Sequence, residues 1–481
     1  MPASVEFLRI LPELILTAVA TLIMVLDPLT AERSKGRLGV VGLAGLAAAF
    51  VASLAALSSP GPAFSSMIVV NGFTTLFRAL VIGVGALTIL ASFDYLRREQ
   101  ASSGEYWALV LFSVTGQCVM VAATELIVIF IGIEISSIAS YVLAGYLRDD
   151  KRNNEAALKY FLLGSFATAF LLYGVSLIYG ATGTTRLAGI RAALGPGATE
   201  SSVVMVGFAA ALLFVGLAFK VSGAPFQMWA PDVYQGAPAP VSAFLSAGPK
   251  AAAFAVFLRV FLSALGPIGA RWEPLVWTSA LLSMTIGNFA ALAQTNVKRL
   301  LAYSSIAHAG YVLVALAARS ESGTAAAMFY LVAYALMNVG AFAVVAHLGG
   351  KGEKYVTVDD LAGLAVRQPL TAAALALFLL SLIGVPLTGG FFGKFYIFKA
   401  AIDSQLYWLA VLGLLNSVVA AFYYLRILVV MYMHEPGEAV EQAGPLPAGV
   451  RTALVAPAAG ILLLGVFPAL LLEFVLRSAK F

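Results

Sequence analysis

Long apolar segments recur along the whole sequence, and they constrain the fold more than any other feature. About fourteen of them reach the roughly 17–25 residues that an α-helix needs to cross a lipid bilayer. Of the 481 residues, 61% are hydrophobic and only 11% are charged, whereas soluble domains carry about 25% charged residues. Because backbone groups in lipid must bond within their own segment, these stretches predict helices. The sequence therefore predicts an all-α polytopic membrane protein with about fourteen transmembrane helices.

Basic residues cluster in alternate loops between these segments. The clusters follow the first, third, fifth, ninth and eleventh segments: Arg33, Lys35 and Arg37; Arg97 and Arg98; Arg148, Lys151 and Arg152; Lys298 and Arg299; and Lys351, Lys354 and Arg367. The loops on the opposite side contain fewer lysines and arginines. The positive-inside rule therefore assigns the basic loops to the cytoplasm and both termini to the outer side of the membrane.

Cysteine and histidine are too few for most cofactor sites. The single cysteine, Cys118, cannot form a disulfide within the chain or hold an iron–sulfur cluster. The three histidines, His308, His347 and His434, show no metal-ligand spacing. No nucleotide-binding glycine motif follows a predicted strand, and no basic run interleaved with aromatics indicates nucleic-acid binding. We therefore expect the chain to bind no cofactor, metal or nucleic acid and to contact the lipid bilayer.

Two apolar segments contain a lysine beside a helix break. In the first, Lys220 precedes Gly223-Ala224-Pro225, and in the second the run 384–390 (GVPLTGG) precedes Lys394. Another lysine, Lys250, lies near the middle of the segment that follows the first break. A charge at membrane depth costs about 2.5–3.5 kcal/mol, so such residues are functional candidates. Because interrupted helices at this depth are typical of transporter sites, the pattern indicates an ion pathway.

The middle of the chain has the pattern of a tandem duplication. Glu134 and Lys220 lie 86 positions apart, and so do His308 and Lys394. Each pair ends on an interrupted segment, and a five-helix unit repeated in tandem has inverted topology because five is odd. The predicted units are an N-terminal three-helix segment (1–100), two inverted five-helix repeats with discontinuous helices (105–265 and 274–432) and a C-terminal helix (450–481).

The buried charges suggest a route for protons. Glu134 is the natural partner of Lys220, and moving the carboxylate toward or away from the ammonium would load or unload a proton. Lys250, His308 and Lys394 would continue the line along the membrane midplane. Hydroxyl groups and water would bridge the gaps, and the candidate hydroxyls belong to Ser222, Ser242, Ser246 and Thr388.

The same residues also have structural interpretations. Glu134 and Lys220 could be a static ion pair that holds two helices together. His308 could simply hydrogen-bond within the bundle. Lys394 could extend its ammonium to the membrane surface, as long cationic side chains do, although its position just past a break makes that interpretation weaker.

Three motifs resemble one known family. The stretches FKVSGAPFQMWAPDVYQGAPAPVSAFLSAGPK (219–250), YSSIAHAGY (303–311) and GVPLTGGFFGKFYIF (384–398) are similar to the antiporter-like membrane subunits of respiratory complex I. The resemblance covers nearly the whole chain. The M-type members usually have a glutamate at the position of Lys394, and the L-type members carry a long C-terminal extension that this sequence does not show. The sequence therefore resembles the remaining type of antiporter-like subunit most.

The resemblance implies a fold and roles for the site residues. It implies fourteen helices with two inverted five-helix bundles, a functional Glu134–Lys220 pair, a central lysine at Lys250 and an exit lysine at Lys394. Gln227 departs from the family pattern, because relatives often have a histidine at this position. Any role of that histidine in proton entry is missing or substituted here.

The resemblance also implies a function and a setting. The chain would be a proton-translocating subunit of NADH–quinone oxidoreductase in a bacterial inner membrane, coupling electron transfer to quinone with proton pumping. NADH, flavin, iron–sulfur clusters and quinone are expected in partner subunits, which include the antiporter-like M and L subunits and the small subunits K, J, A and H. Two alternatives stay open: a subunit of a multi-subunit cation/proton antiporter, driven by ion gradients, and a membrane scaffold that pumps nothing.

Overall fold

The chain folds almost entirely into helices. The computed structural model describes residues 3–31 and 34–480, and Arg33, one of the residues used to predict orientation, lies outside them. In this part of the chain thirteen helices are long and apolar enough to cross a membrane. The predicted all-α polytopic membrane fold is therefore confirmed.

The elements follow one another in four groups along the chain. The first group contains α1 (Ala3–Leu26), α2 (Gly36–Ala56), the strands β1 (Gly61–Ala63) and β2 (Ile68–Val70), and α3 (Gly72–Glu99). The second contains α4 (Gly104–Ala122), α5 (Leu126–Ala144), α6 (Lys151–Thr182), α7 (Leu187–Ala193), α8 (Glu200–Val221), α9 (Trp229–Gly236) and α10 (Ala239–Leu258), which continues into the π-helical turn Arg259–Ala264. The two strands form an antiparallel hairpin.

The remaining groups complete the bundle. The third contains α11 (Gly269–Leu292), α12 (Val297–Ala317), α13 (Glu321–Leu348), α14 (Leu364–Arg367), α15 (Pro369–Ile383), α16 (Gly389–Asp403) and α17 (Tyr407–Met433). The last contains α18 (Glu438–Gln442), α19 (Ala448–Val466) and α20 (Ala469–Ser478). Short 3₁₀ turns occur in the connections at Asp27–Leu29, Gly266–Ile268, Lys351–Glu353 and Asp359–Leu361.

Two of the helices stop and restart at the predicted breaks. At the end of α8, Ser222 adopts a left-handed backbone with φ of 59°, and α9 follows. At the end of α15, Gly384 has φ of 96°, a conformation that glycine adopts without strain. α15 has only 15 residues and is shorter than the spanning helices. Together α15 and α16 form the second interrupted segment, whose break the sequence predicts at residues 384–390.

Small residues bring the central helices into close contact. A Cβ atom on Gly116 in α4 would lie 2.5 Å from the backbone nitrogen of Ser136 in α5, and one on Gly287 in α11 would lie 2.6 Å from that of Ala307 in α12. Each of these two helix pairs therefore packs backbone against backbone. The most apolar stretches of α10 and α12 are both 94% buried, compared with 33% for α1. The helices that carry Lys250 and His308 thus form the centre of the molecule.

Candidate functional site

Lys220 lies near the end of α8 and contacts α5. Its ammonium donates hydrogen bonds to Ser137 Oγ at 2.6 Å and to Tyr141 OH at 3.3 Å, and it lies 5.3 Å from the centre of the Tyr141 ring. Glu134 is one turn before Ser137 on α5, and its Oε1 is buried without a hydrogen-bond partner in the described residues. The expected ion pair between Glu134 and Lys220 is not formed in this conformation, because the Ser137 hydroxyl binds the ammonium instead.

Lys250 is buried in the centre of the bundle with neutral partners. Its side chain extends from α10 to α12, where the ammonium bonds both the Ser305 hydroxyl and the Ser305 carbonyl oxygen, the latter at 3.1 Å. Tyr334 on α13 donates its hydroxyl proton to the same Ser305 Oγ at 2.8 Å, and Asn338 donates to Tyr334. Lys250 is 1% exposed, and its ammonium bonds hydroxyl and carbonyl oxygens, with no carboxylate of the described residues as an ion-pair partner.

His308 is buried between tyrosines. Its Nδ1 atom shares a hydrogen bond with Tyr330 OH, and its Nε2 atom lies 3.2 Å from Tyr424 OH. Tyr424 also shares a hydrogen bond with Ser304 on α12. The imidazole centre is 5.4 Å from that of the Tyr334 ring, which joins His308 to the surroundings of Lys250.

Lys394 on α16 binds the open end of α15. Its ammonium donates to the carbonyl oxygens of Leu382 at 2.8 Å and Ile383 at 2.9 Å, and to Ser417 Oγ at 2.7 Å. The break leaves these carbonyls without intrahelical partners, and the C-terminal end of a helix favours a cation. The ammonium also lies 4.7 Å from the centre of the Tyr311 ring. The break therefore supplies the oxygen atoms that hold a buried charge.

One face of α12 connects these groups. Ser304, Ser305 and Tyr311 each lie three or four residues from His308, which puts them on the same side of the helix as His308. Through Ser305 this face contacts Lys250, and through Tyr311 it contacts Lys394. Three of the predicted site residues, on α10, α12 and α16, are therefore joined through α12 by hydrogen bonds and by contacts with aromatic rings.

Lys220 is separated from this set by a small cavity. The cavity is lined from α5, α8 and α10 by residues that include Ser136, Ser137, Ser140, Lys220 and Pro249, and it has a volume of about 10 Å³. Roughly 10–15 Å³ suffices for one water molecule when polar partners are present. The adjacent hydroxyl of Ser113 lies 3.0 Å from Ser136 Oγ and 3.2 Å from Ser140 Oγ. Serine hydroxyl groups therefore line the cavity between Lys220 and α10, the helix that carries Lys250.

The four hydroxyls predicted to bridge the charges do not contact them in the described structure. Ser242, Ser246 and Thr388 donate to backbone carbonyls of Tyr234, Ala243 and Val385 respectively. The Ser222 hydroxyl is buried without a partner. Direct hydrogen bonds from these hydroxyls to the charged groups are therefore not formed in this conformation, and bridging through water stays a prediction.

The hydroxyls that do bind the charges were not identified from the sequence. Hydroxyls of Ser137, Tyr141, Ser305 and Ser417 bond the lysines, and those of Tyr330 and Tyr424 bond His308. Tyr334 bonds Ser305, and Tyr311 contacts Lys394 through its ring. On α5 and α12 the helical spacing of hydroxyl residues could have predicted these contacts. Ser137 and Tyr141 follow Glu134 at helical spacing, and Ser305 and Tyr311 flank His308 within one turn, so each pair lies on the face of a suspected charge.

Two further features lie beside the predicted residues. A cavity of about 480 Å³ borders Lys394 and is lined by residues that include Gly384, Phe391 and Ser417. Gln227 lies between α8 and α9, and its Oε1 atom is buried without a hydrogen-bond partner.

Within residues 3–31 and 34–480, no three histidine, cysteine or acidic side chains are grouped to hold a metal ion.

Comparison with known sequences gives a consistent result. Residues 123–420 match the family model described as NADH:quinone oxidoreductase/Mrp antiporter, TM. The NADH-quinone oxidoreductase subunit N 1 of Solibacter usitatus is 63% identical over 484 residues, which cover 100% of this chain and 99% of that protein. The sequence similarity therefore extends over every element described above.

Solved structures share the fold. A chain of respiratory complex I from Thermus thermophilus with bound aureothin is 35% identical, with a TM-score of 0.81 over 96% of this chain and 98% of that chain. A chain of the Mrp complex from Dietzia sp. is 22% identical, with a TM-score of 0.84 over 99% and 97% of the two chains. Because the Mrp chain is only 22% identical, its similarity to this chain shows the shared fold alone.

The fold and the buried cations define a polytopic membrane protein of the ion-translocating antiporter type. This class includes chains of respiratory complexes and of Mrp complexes, which the fold does not separate. Sequence identity over the full length does separate them, and the chain belongs to the NADH-quinone oxidoreductase subunit N family.

Proposed function

We propose that this chain moves protons along Glu134, Lys220, Lys250, His308 and Lys394. It is the proton-translocating membrane subunit of a NADH–quinone oxidoreductase, the enzyme that its family defines. The observation that carries the proposed route is the neutral environment of the buried lysines. Since neither Lys250 nor Lys394 is paired with a carboxylate, a charge that moves nearby changes the electrostatic energy of the ammonium group and can control loading and release.

The first step is a change of partner at Lys220. In the described conformation its ammonium bonds Ser137 and Tyr141, while Glu134 lies one turn away with Oε1 unbonded. Rotation of the Glu134 side chain toward Lys220 would compensate the ammonium and hold its proton, and rotation away would favour release. Lys220 lines the small serine-lined cavity, and Glu134 lies on α5, which borders the same cavity. From this cavity a proton can pass toward Lys250.

The later steps use the hydroxyls on α12 and its neighbours. From Lys250 the route continues through Ser305 and Tyr334 to His308, and from there past Tyr311 to Lys394. Hydroxyl groups donate and accept at the same atom, so Ser305 and Tyr334 can pass a proton by exchanging one hydrogen bond for another. The links from Tyr334 to His308 and from Tyr311 to Lys394 are ring contacts, so transfer across them requires a side-chain movement or a bridging water. The cavity of about 480 Å³ beside Lys394 is the proposed exit.

The energy for this transport comes from chemistry elsewhere in the enzyme. NADH, flavin, iron–sulfur clusters and quinone are assigned to partner subunits, and the proposed neighbours are the antiporter-like M and L subunits and the small subunits K, J, A and H. Each outward proton works against about 2.3 kcal/mol per 100 mV. An ion pair near 4 Å at an effective dielectric of 20 is worth about 4 kcal/mol, so one rearrangement of Glu134 and Lys220 is of the required size.

The proposed architecture follows the predicted division of the chain. Residues 105–265 and 274–432 would be two inverted five-helix repeats, flanked by the three-helix segment 1–100 and the C-terminal helix within 450–481. The equivalent interruptions after α8 and α15 support this division. Both termini would lie on the periplasmic side of a bacterial inner membrane, since the basic loops favour the cytoplasm.

The test uses Lys220→Ala and Glu134→Ala in the complete enzyme. NADH-driven proton uptake into inverted membrane vesicles is measured together with electron transfer to quinone, after assembly is verified on a native gel. Both variants are expected to pump fewer protons per electron. Lys354→Ala, which removes an exposed lysine paired with Glu438 at 3.2 Å, is the matched control. A normal proton-to-electron ratio in both assembled variants would remove the basis of the proposal.

The open alternatives give different results. A subunit of a cation/proton antiporter would not co-purify with flavin and iron–sulfur subunits, whereas the proposed subunit is expected to do so. A membrane scaffold would tolerate replacement of Lys220, Lys250 and Lys394 as long as packing is preserved.

A further inference from the structure

A crevice of about 830 Å³ lies away from the proton route, where α2 begins, α3 ends and α19 begins. Its lining includes Arg37, Val40, Leu90, Phe93, Arg97 and Val450. We call it the α2–α3–α19 crevice. None of the residues assigned to proton transfer contributes to it, so it needs a separate explanation.

The outer part of the crevice is basic. Arg37 is exposed and has no ion-pair or hydrogen-bond partner in the described residues. Arg97 pairs with Asp94 at 2.5 Å but remains 79% exposed. The backbone N–H groups at the starts of α2 and α19 are not capped by side chains, and they add positive potential at the same end. This part of the crevice therefore favours an anion.

The inner part of the crevice is apolar. Val40 on α2, Leu90 and Phe93 on α3 and Val450 on α19 line it, and all three helices are long enough to span the membrane. A ligand that follows these side chains therefore extends along the helices toward the hydrocarbon region of the bilayer. A small inorganic anion would use the arginines and leave this apolar surface without a function.

Close helix packing fixes the shape of the crevice. A Cβ on Gly449 would lie 2.3 Å from the carbonyl oxygen of Leu90, so α19 and α3 touch through their backbones beside it. A Cβ on Gly39 would lie 2.5 Å from the Phe93 ring, which holds α2 against α3. The walls are therefore preformed, and a ligand pays no cost for opening them.

We propose that the α2–α3–α19 crevice binds one anionic phospholipid. The phosphate contacts Arg37 and Arg97, and the acyl chains follow Val40, Leu90 and Phe93 into the bilayer. The basic loops assign this end of the molecule to the cytoplasmic leaflet, where anionic lipids attract basic pockets between transmembrane helices. An anionic headgroup joined to apolar chains matches both halves of the crevice. Asp94 is already paired with Arg97 at 2.5 Å, so the net charge left for the headgroup is the positive charge of Arg37.

The test uses photoactivatable phospholipids in the complete complex. Purified enzyme is reconstituted into vesicles that contain a trace of a photoactivatable phosphatidylglycerol or phosphatidylcholine, and labelled peptides are mapped after irradiation. Phosphatidylglycerol is expected to label peptides around residues 36–40, 90–97 and 447–450 in preference to phosphatidylcholine. Since each arginine near the surface contributes about 1 kcal/mol, or about fivefold, Arg37→Gln with Arg97→Gln should lower this labelling by about thirtyfold.

Two controls keep the test specific. Arg148→Gln removes an arginine that is 85% exposed and follows α5, and it should leave the labelling unchanged. Arg37→Lys with Arg97→Lys keeps the charge and should retain most of the labelling. Equal labelling by the two lipids, or full labelling of the double glutamine variant, would overturn the proposal. So would displacement of the probe by millimolar inorganic phosphate, which indicates a free-anion site, or absence of labelling because a partner subunit covers the crevice.

Discussion

At the scale of single residues, two kinds of buried lysine occur in this chain. Lys298 is completely buried and pairs with the Glu353 carboxylate at 2.5 Å. Lys250 and Lys394 are just as deeply buried but bond hydroxyl and carbonyl oxygens. A paired lysine holds its proton and fixes local structure, whereas an unpaired one can change its protonation when a neighbouring charge moves. The two kinds should respond differently to substitution.

Lys250→Met tests the unpaired kind. Methionine has a similar length and leaves no unpaired carboxylate, so the complex should assemble. We expect proton pumping to fall about tenfold or more, which corresponds to about 1.4 kcal/mol in the barrier. Proton uptake into inverted vesicles measures the effect.

Lys298→Met is the contrasting variant. It removes the lysine that pairs with the Glu353 carboxylate and should reduce assembly, at a cost of about 3–5 kcal/mol. Normal pumping by assembled Lys250→Met enzyme would contradict this assignment.

Tyr334→Phe tests the hydroxyl relay. The change removes the O–H group that donates to Ser305 Oγ at 2.8 Å but keeps the ring in the core. Losing one hydrogen bond of about 0.5–1.5 kcal/mol in the relay should slow pumping about two- to tenfold. Tyr407→Phe, at an exposed tyrosine that begins α17, should have no effect. If the two variants pump equally at equal complex content, the hydroxyl of Tyr334 does not take part.

Residue-level prediction from the sequence found the charges but not their partners. A charge in an apolar segment stands out because it is rare and costly. A serine or tyrosine in such a segment is common, and whether it meets a lysine depends on helix packing. Glu134 illustrates the limit, since the sequence favours its pairing with Lys220 while the packing gives that position to Ser137.

At the scale of helices, the breaks determine where charges can be held. The end of α15 exposes two carbonyl oxygens to Lys394, and the restart at α16 is packed tightly against it. A Cβ on Gly390 would lie 1.9 Å from the carbonyl oxygen of Ser381. The break and the lysine are therefore one unit, and glycine at this position is a packing requirement.

Gly390→Ala should disturb that unit. Overpacking costs about 1–3 kcal/mol or more when backbone blocks the added methyl group, so we expect reduced thermal stability and lower pumping. Gly83→Ala is the matched control, because nothing lies within 4 Å of its Cβ position and alanine favours a helix by up to about 1 kcal/mol. Thermal unfolding of the purified complex, followed on native gels, compares the two. Equal stability would show that the break adapts to the extra atom.

A buried ion pair joins α1 to α3, and the sequence analysis did not identify it. Arg78 and Glu13 are 2.6 Å apart, with side chains only 0% and 5% exposed. Arg78→Met alone leaves the Glu13 charge unpaired, and we expect a loss of about 3–5 kcal/mol, seen as reduced complex content and a lower unfolding temperature. Glu13→Leu with Arg78→Met removes both charges and should recover most of that loss. Failure of the double variant to recover would mean that the pair has a role beyond packing.

At the scale of the whole molecule, the sequence predicts class and order better than it predicts contacts. The all-α polytopic fold, the two breaks and the segments that carry the charges follow from hydropathy and from glycine and proline positions. The hydropathy pattern does not show which helices are central, because lipid-facing and buried helices are equally apolar. The burial of α10 and α12 is a property of packing, and it is what brings Lys250, His308 and Lys394 onto one line.

The central claim is that protons leave through Lys394, and NADH-driven proton uptake by vesicles carrying Lys394→Ala tests it most directly. Assembly is verified on a native gel, electron transfer is measured in parallel, and Lys354→Ala is the exposed-lysine control. If protons leave through Lys394, the assembled variant pumps fewer protons per electron and the control is unaffected. Unchanged pumping by assembled Lys394→Ala enzyme would contradict an exit at Lys394 and place it in another part of the molecule.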